Sequence, residues 1–386
     1  MRNLFAEIYH GRTVLVTGHT GFKGSWLSIW LSELGADLVG LSLEEPPTTP
    51  SNFIVSNVQE HVTDLRGDVR DLPSLIDIIE SYQPSIVFHL AAQPIVLQSV
   101  REPHKTFSTN ALGTVNVLEA IRQTNSVRAL VSITTDKVYA DKEWLWGYRE
   151  IDRLGGHDPY SASKAMAELA IEAYRASYFS PDTYDEHGVA VASCRAGNVI
   201  GGGDFAPFRL VPDSMRALMA RKPIEVRNPA SIRPWQLVLE PLSGYLWLGA
   251  KLLTAGAQFA GAWNFGPAEQ RGITAGELAE SIVQTWGEGS WTRPQQKLPE
   301  VETGQLRLSW EKAAAQLSWQ PVYHWRETVS EIVSWFKAFD NGQEMCPVCI
   351  THLTDYVHRA QSLGLPWAQA RELSPHDQNK SSGTDI

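Results

Sequence analysis

The sequence predicts an α/β protein: a Rossmann-type, doubly wound parallel sheet with a smaller C-terminal α/β lobe. Three observations carry that prediction. Short aliphatic runs alternate with helical patterns as far as Gly201, a glycine-rich turn follows the first run, and beyond Gly201 the alternation gives way to frequent Pro and Trp.

Taken in order, Thr13–Thr17 (TVLVT) is a β-branched run that ends in the glycine turn. Ser25–Leu34 carries apolar residues at helical spacing and is closed by Gly35, and Leu38–Leu43 is the next strand. Leu72–Glu80 is helical, Ile86–Leu90 (IVFHL) extended, Val115–Ile121 helical and Ala129–Ile133 extended. Ser161–Arg175 reads as a long helix and Ala190–Cys194 as a strand. Right-handed crossovers then bury both faces of a parallel sheet. Further on, Ala275–Thr285 and Thr328–Phe336 are helical patterns between loops. The expected division is 1–200 for the Rossmann domain, with parts of 230–265 returning to it. Residues 201–345 form the smaller lobe and 346–386 a C-terminal extension, polar and frayed from Ser374 onward.

A net charge of −10 argues against a protein that tracks nucleic acid. No apolar run approaches the roughly 20 residues of a bilayer span. Three cysteines make no disulfide framework, so the expected setting is a reducing cytoplasm.

Gly18-His19-Thr20-Gly21-Phe22-Lys23-Gly24 spaces its glycines GxxGxxG between a strand and a helix. A pyrophosphate resting on a helix N-terminus needs such closeness of backbone, which a Cβ would block. Gly18, Thr20, Gly21, Phe22, Lys23 and Gly24 are therefore candidate dinucleotide-binding residues. Asp68 and Val69 of GDVRD follow the second βα unit, where an acid suits an adenine amino group. Leu90, Ala91, Ala92 and Gln93 end a strand in small residues, while His89 reads as packed. Ser42 and Glu44 stand where the second strand ends, with no Arg nearby to hold a 2′-phosphate, which favours NAD over NADP.

Tyr160 and Lys164 (YSASK) are i and i+4 on one helix face. A phenol of ordinary pKa ~10 needs a nearby cation to act as a general base near neutrality. Asp136 and Lys137 of TTDKVY follow the strand Ala129–Ile133, at the sheet edge where open α/β folds bind ligands. An acid and an amine beside the Tyr–Lys pair exceed the needs of alcohol oxidation and suit a water elimination.

These motifs resemble the extended short-chain dehydrogenase/reductase family, and within it the sugar-nucleotide 4,6-dehydratases that act on CDP-glucose. The resemblance rests on TGHTGFKGSWL (Thr17–Leu27), TTDKVYADKEWLWGYRE (Thr134–Glu150), RAGNVIGGGD (Arg195–Asp204), IRPWQ (Ile232–Gln236), VLEPLSGY (Val238–Tyr245) and WNFGP (Trp263–Pro267). It implies bound NAD and a CDP-glucose substrate, with Tyr160 as base for the 4-hydroxyl, Lys164 holding phenolate and ribose, and Thr135 bonding the same hydroxyl. Asp136 would protonate the departing 6-hydroxyl. Where many relatives carry Asp-Glu, this chain has Asp136-Lys137, and Lys137 serves as the C5 base only with a pKa well below ~10.4. Asn198 and Arg233 would hold the diphosphate, with Arg209 and Leu210 near the base. Ser309 departs from an Asp frequent in relatives, which weakens a role for Arg307. The family also implies a homodimer and a place in deoxysugar and lipopolysaccharide synthesis. A 4-epimerase, or a dehydratase acting on another nucleotide hexose, remains the alternative activity. Cys346, Cys349, His352 and His358 are metal-type residues, but their spacing is too compact for a zinc finger, and no metal is expected.

Overall fold

The computed structural model describes residues 1–142, 144–269, 272–294 and 307–369. Seven strands form one parallel sheet: β1 (Thr13–Thr17), β2 (Asp37–Ser42), β3 (Thr63–Arg66), β4 (Ile86–His89), β5 (Ala129–Ile133), β6 (Ala190–Ala196) and β7 (Gly261–Phe265). Their order is β7-β6-β5-β4-β1-β2-β3, so the chain reverses direction across the sheet between β1 and β4. β1 and β5 span the residues expected of them. β3 (TDLR) has no apolar pattern, and only its pairing with β2, Val39 opposite Thr63, reveals it. β7 pairs with β6 from Gly261 opposite Ala192, so a late segment closes the edge of an early sheet.

The helices between strands are α1 (Phe22–Glu33), α2 (Leu72–Tyr82), α3 (Gly113–Gln123) and α4 (Pro159–Ser177). Asp71 caps α2 through the Ser74 N–H, and Asp158 caps α4 through the Ser161 N–H at 3.0 Å. α1 is buried from Gly24 to Leu31 because it is covered on both sides, by the sheet and by a C-terminal helix.

The later chain adds α5 (Leu210–Met219), α6 (Leu239–Ala255), α7 (Ala275–Trp286), α8 (Trp325–Asp340) and α9 (Met345–Ser362). α6 packs on β5 and β6, and one apolar core runs from that sheet face through α6, α7 and α8 into α9. The stretch expected to be an extension is therefore, through residue 369, a docked part of the core. Met345, Cys349, Leu353, Tyr356, Val357 and Ala360 form a buried helical stripe, and Trp367 stacks on Phe5 at 5.2 Å. The polar tail from Ser374 lies outside the described residues. Among the described residues no helix is long and apolar enough to cross a membrane, and no group of His, Cys, Asp and Glu could hold a metal ion.

Candidate active site

Three loops meet at the carboxyl edge of the sheet. In the first, Gly18 adopts φ +80°, and a Cβ there would lie 2.7 Å from the Ala91 nitrogen. A Cβ on Gly24 would lie 2.1 Å from the Gly18 carbonyl oxygen. Turn, strand end and helix start are thus in backbone contact. Gly21 is the N-cap of α1 and offers no side-chain cap, so the first N–H groups of α1 remain for an anion. The cradle fits a dinucleotide pyrophosphate. Thr20 is fastened by its N–H to Ser42 Oγ (3.2 Å), and Ser42 also bonds His19 Nδ1 (3.0 Å). Ser42 is thereby committed to the glycine turn. The expectation that no Arg stands near the end of β2 is corrected: Arg66, brought by β3, donates to the Leu43 and Glu44 carbonyls at 3.0 and 3.2 Å and to Asp64 at 2.7 Å. Neighbouring strands juxtapose residues that sequence keeps some 20 positions apart.

In the second loop, the Leu90 and Ala91 N–H groups bond Thr17 at its carbonyl (3.0 Å) and hydroxyl (3.3 Å), and Ala92 continues the turn. Gln93 is held at both backbone groups by Asn110, a residue the sequence reading passed over. Val69 packs on Gly113, and Asp68 is clamped by Arg70 at 2.5 Å. The Arg70 hydrogen bonds hold the Asp68 carboxyl below its usual range. His89 is packed, between the Thr17 and Thr114 hydroxyls at 2.7 and 3.1 Å, and burial keeps it neutral, its pKa near 3.

The third loop follows β5. Thr135 caps the short turn Asp136–Val138, and its hydroxyl donates to Asp136 Oδ1 at 2.9 Å. The Asp136 carboxyl is buried with its Oδ2 unpartnered, and burial raises its pKa against the lowering charges of Lys137, Arg233 and Lys23. Such a carboxyl holds a proton for donation at a higher pH than an exposed one. Tyr160, at the start of α4, lies close enough to Thr135 and Asp136 for both side chains to bear on its ionisation, so phenol, hydroxyl and carboxyl form one cluster. Lys137 is half-buried beside it.

The expected activation of Tyr160 by Lys164 needs correction. Burial pushes the phenol up to about 12, and the opposing influences are the Thr135 hydrogen bond and the Arg209 charge. Lys164 instead donates to the Ile133 carbonyl at 3.0 Å, and burial brings its pKa down to about 8. Helical spacing set the two on one face, but the ammonium found a closer partner at the end of β5. Lys23 also reaches this cluster: its ammonium lies 5.9 Å from the Tyr245 ring, and burial lowers it to about 8.

The C-terminal lobe supplies the opposite wall. Arg233 is buried in a short strand, donates to the Ile232 carbonyl at 2.9 Å and directs its charge towards Asp136. Asn198, half-buried after β6, takes the Gln236 N–H on its carbonyl at 3.2 Å. Arg209 is the N-cap of α5 and pairs with Asp204 at 3.1 Å, and Leu210 is the first residue of α5. Next to them opens a cleft of about 530 Å³, whose lining includes Phe208, Asp213, Lys222, Glu225, Arg227 and Pro294. Arg307 donates to the Leu145 carbonyl at 3.3 Å, bracing the loop after β5.

With this geometry in place, comparison with known proteins is informative. Residues 15–237 match the family described as GDP-mannose 4,6 dehydratase. The chain is 46% identical over 352 residues to the CDP-glucose 4,6-dehydratase of Salmonella typhimurium, covering 91% of this chain and 98% of that one. Among solved structures, the dTDP-glucose 4,6-dehydratase DesIV of Streptomyces venezuelae, with NAD and TYD bound, superposes with a TM-score of 0.72 at 22% identity, covering 87% of this chain and 99% of that chain. The UDP-glucose 4-epimerase of Thermus thermophilus in complex with NAD gives a TM-score of 0.69 at 25% identity, covering 84% and 99%.

Proposed function

Because the chain belongs to the GDP-mannose 4,6-dehydratase family, we propose that it converts CDP-glucose to CDP-4-keto-6-deoxyglucose with bound NAD. The single observation that carries this reading is the Tyr160–Thr135–Asp136 cluster, which sets an alcohol-oxidising phenol beside a buried carboxyl with a free oxygen. Gly18, Thr20, Gly21, Phe22, Lys23 and Gly24, with Asp68, Val69, Leu90, Ala91, Ala92 and Gln93, would hold NAD, which when bound would supply the hydride acceptor for C4 and the hydride donor for C6.

Tyr160 removes the 4-hydroxyl proton while Thr135 holds that oxygen. Burial holds the phenol near 12 in the protein alone, so ionisation belongs to the loaded site, where added positive charge would favour the phenolate. The new ketone makes the C5 proton acidic; we assign its removal to Lys137, and a solvent-exchanged proton returns to C5 once C6 has received hydride. Asp136 delivers its proton to the 6-hydroxyl, which leaves as water. Arg233 and Asn198 hold the diphosphate, and Arg209 and Leu210 lead the nucleoside into the cleft beside them. There Glu225 and Asp213 suit the cytosine amino group, a donor that uracil and thymine lack at that position.

A homodimer through the faces of α3 and α4, where Met166 and Leu169 of α4 and Leu112 just before α3 are exposed, and a cytoplasmic setting with its three cysteines reduced complete the proposal. The product class feeds deoxysugar and lipopolysaccharide assembly. The test is incubation with CDP-glucose in deuterated water without added reductant. The expected product is a 4-keto sugar that absorbs near-ultraviolet light in alkali and carries deuterium at C5. A 4-epimer with no deuterium at C5 would replace this reading with epimerisation.

A further inference from the structure

Tyr160, Lys164 and Glu168 lie at successive i, i+4 positions of α4 and form one buried stripe against the ends of β5 and β6. The first two have a place in the chemistry; Glu168 has none so far. It is 3% exposed, and both of its oxygens are occupied. Oε1 accepts from the Thr134 hydroxyl at 2.5 Å. Oε2 accepts from the Ser193 hydroxyl at 2.8 Å and from Arg195 at 2.7 Å. Arg195 in turn donates to Tyr139 at 2.8 Å, and Tyr139 donates to Asn264 of β7 at 2.7 Å.

Two consequences follow. Lys164 and Glu168 grip consecutive residues, Ile133 and Thr134, directly before Thr135 and Asp136. The register of the catalytic turn is therefore set from one helix. Second, Glu168 stays ionised in spite of its burial, because Arg195 and three hydrogen bonds favour the carboxylate. It is also the negative charge that opposes the desolvation of Lys164. Titratable neighbours of the stripe are Tyr160 on α4, His89 from β4, Asp136 and Tyr139 after β5, and Cys194 and Arg195 of β6. Lys23 of α1 and Arg209 before α5 add positive charge, and Glu150 and Lys312 lie beyond Arg195.

We propose that Glu168 is a positioning residue of the active site, which fixes the Thr134–Asp136 turn and supplies the counter-charge that keeps the Lys164 ammonium charged. The inference rests on the assignment of Tyr160 and Lys164 to the oxidation step.

The experiment compares the pH profiles of kcat for the NAD-loaded wild-type enzyme, Glu168→Gln and Thr134→Val. Loss of the negative charge destabilises the ammonium, so Lys164 deprotonates at lower pH. The alkaline limb of Glu168→Gln should therefore move to lower pH by a unit or so. Thr134→Val keeps the charge and loses only the tether, so kcat should fall several-fold with the limb in place. If an orphaned Arg195 prevents Glu168→Gln from folding, the Glu168→Gln/Arg195→Met double variant takes its place, with the same expected shift. The ε-carbon resonance of isotope-labelled Lys164, assigned by its loss in Lys164→Arg, reads the same titration without turnover. An alkaline limb and a resonance that titrate as in wild type, in whichever neutral variant folds, would overturn the proposal. A wild-type enzyme with no turnover of CDP-glucose would instead reject the reading on which it rests.

Discussion

The two sides of the cleft are built on opposite principles. The cofactor side is made of backbone: Gly18, Gly21 and Gly24 bring main chain against main chain, and a single Cβ would fall 2.1 Å from a carbonyl oxygen. The sugar side is made of ionisable side chains, Asp136, Tyr160, Lys164, Arg233 and Glu168, each buried and each shifted or held by its neighbours. The first should therefore be intolerant of volume and indifferent to charge. The second should tolerate isosteres sterically and fail on charge.

The largest effect that sharpens this contrast is expected from Gly24→Ala. The added methyl must displace the Gly18 carbonyl, so the purified protein should lack bound dinucleotide and turnover together, as measured by absorbance of the released cofactor. Full cofactor content in that variant would break the contrast. Tyr160→Phe is nearly isosteric and should retain fold and cofactor while kcat falls by roughly 10²–10⁴, the usual worth of a general base. In the cleft beside α5, Glu225→Gln should weaken CDP-glucose several-fold in kcat/KM and narrow its advantage over UDP-glucose, because the carboxylate we propose as acceptor for the cytosine amino group is lost.

The smallest effect concerns Glu240, which ties α6 to α9. Its carboxylate accepts from the Val322 and Tyr323 N–H groups at 2.9 and 2.7 Å and from the Tyr356 hydroxyl at 2.7 Å. Burial nonetheless raises its pKa from 4.5 to about 7. A carboxyl raised in the folded state stabilises fully below its unfolded value, and that contribution is lost as pH rises through about 7. The full span is on the order of 3 kcal/mol. Thermal unfolding of Glu240→Gln should therefore gain on wild type by a few degrees between pH 5 and pH 8.5, and a constant difference across that range would contradict the assignment.

The same contrast explains what the sequence disclosed. Backbone-built features need particular residue types at fixed local spacing, so the glycine cradle, the boundaries of β1 and β5, and the YxxxK stripe were legible. Features assembled across strands were not. β3 has no apolar alternation, and its Arg66 reaches the end of β2 only through sheet pairing. Glu168 looks like any helix-surface acid until Arg195 and Ser193 arrive from β6. Local spacing also misled once. It set Lys164 beside Tyr160 but could not show that the Ile133 carbonyl would engage the ammonium, or that burial would push the phenol up to about 12. The stripe Met345–Cys349–Leu353–Tyr356 was readable in principle, since its spacing is that of a buried helix face.

In the proposed reaction, oxidation and elimination share one pocket, with Asp136 serving only the second. Single-turnover absorbance of NAD-loaded Asp136→Asn mixed with CDP-glucose tests it directly. Hydride transfer from C4 should proceed while loss of the 6-hydroxyl stalls, so the signal of reduced dinucleotide should rise and persist, whereas in wild type it rises and decays. A signal in Asp136→Asn that decays at the wild-type rate, with normal yield of 4-keto-6-deoxy product, would contradict the claim.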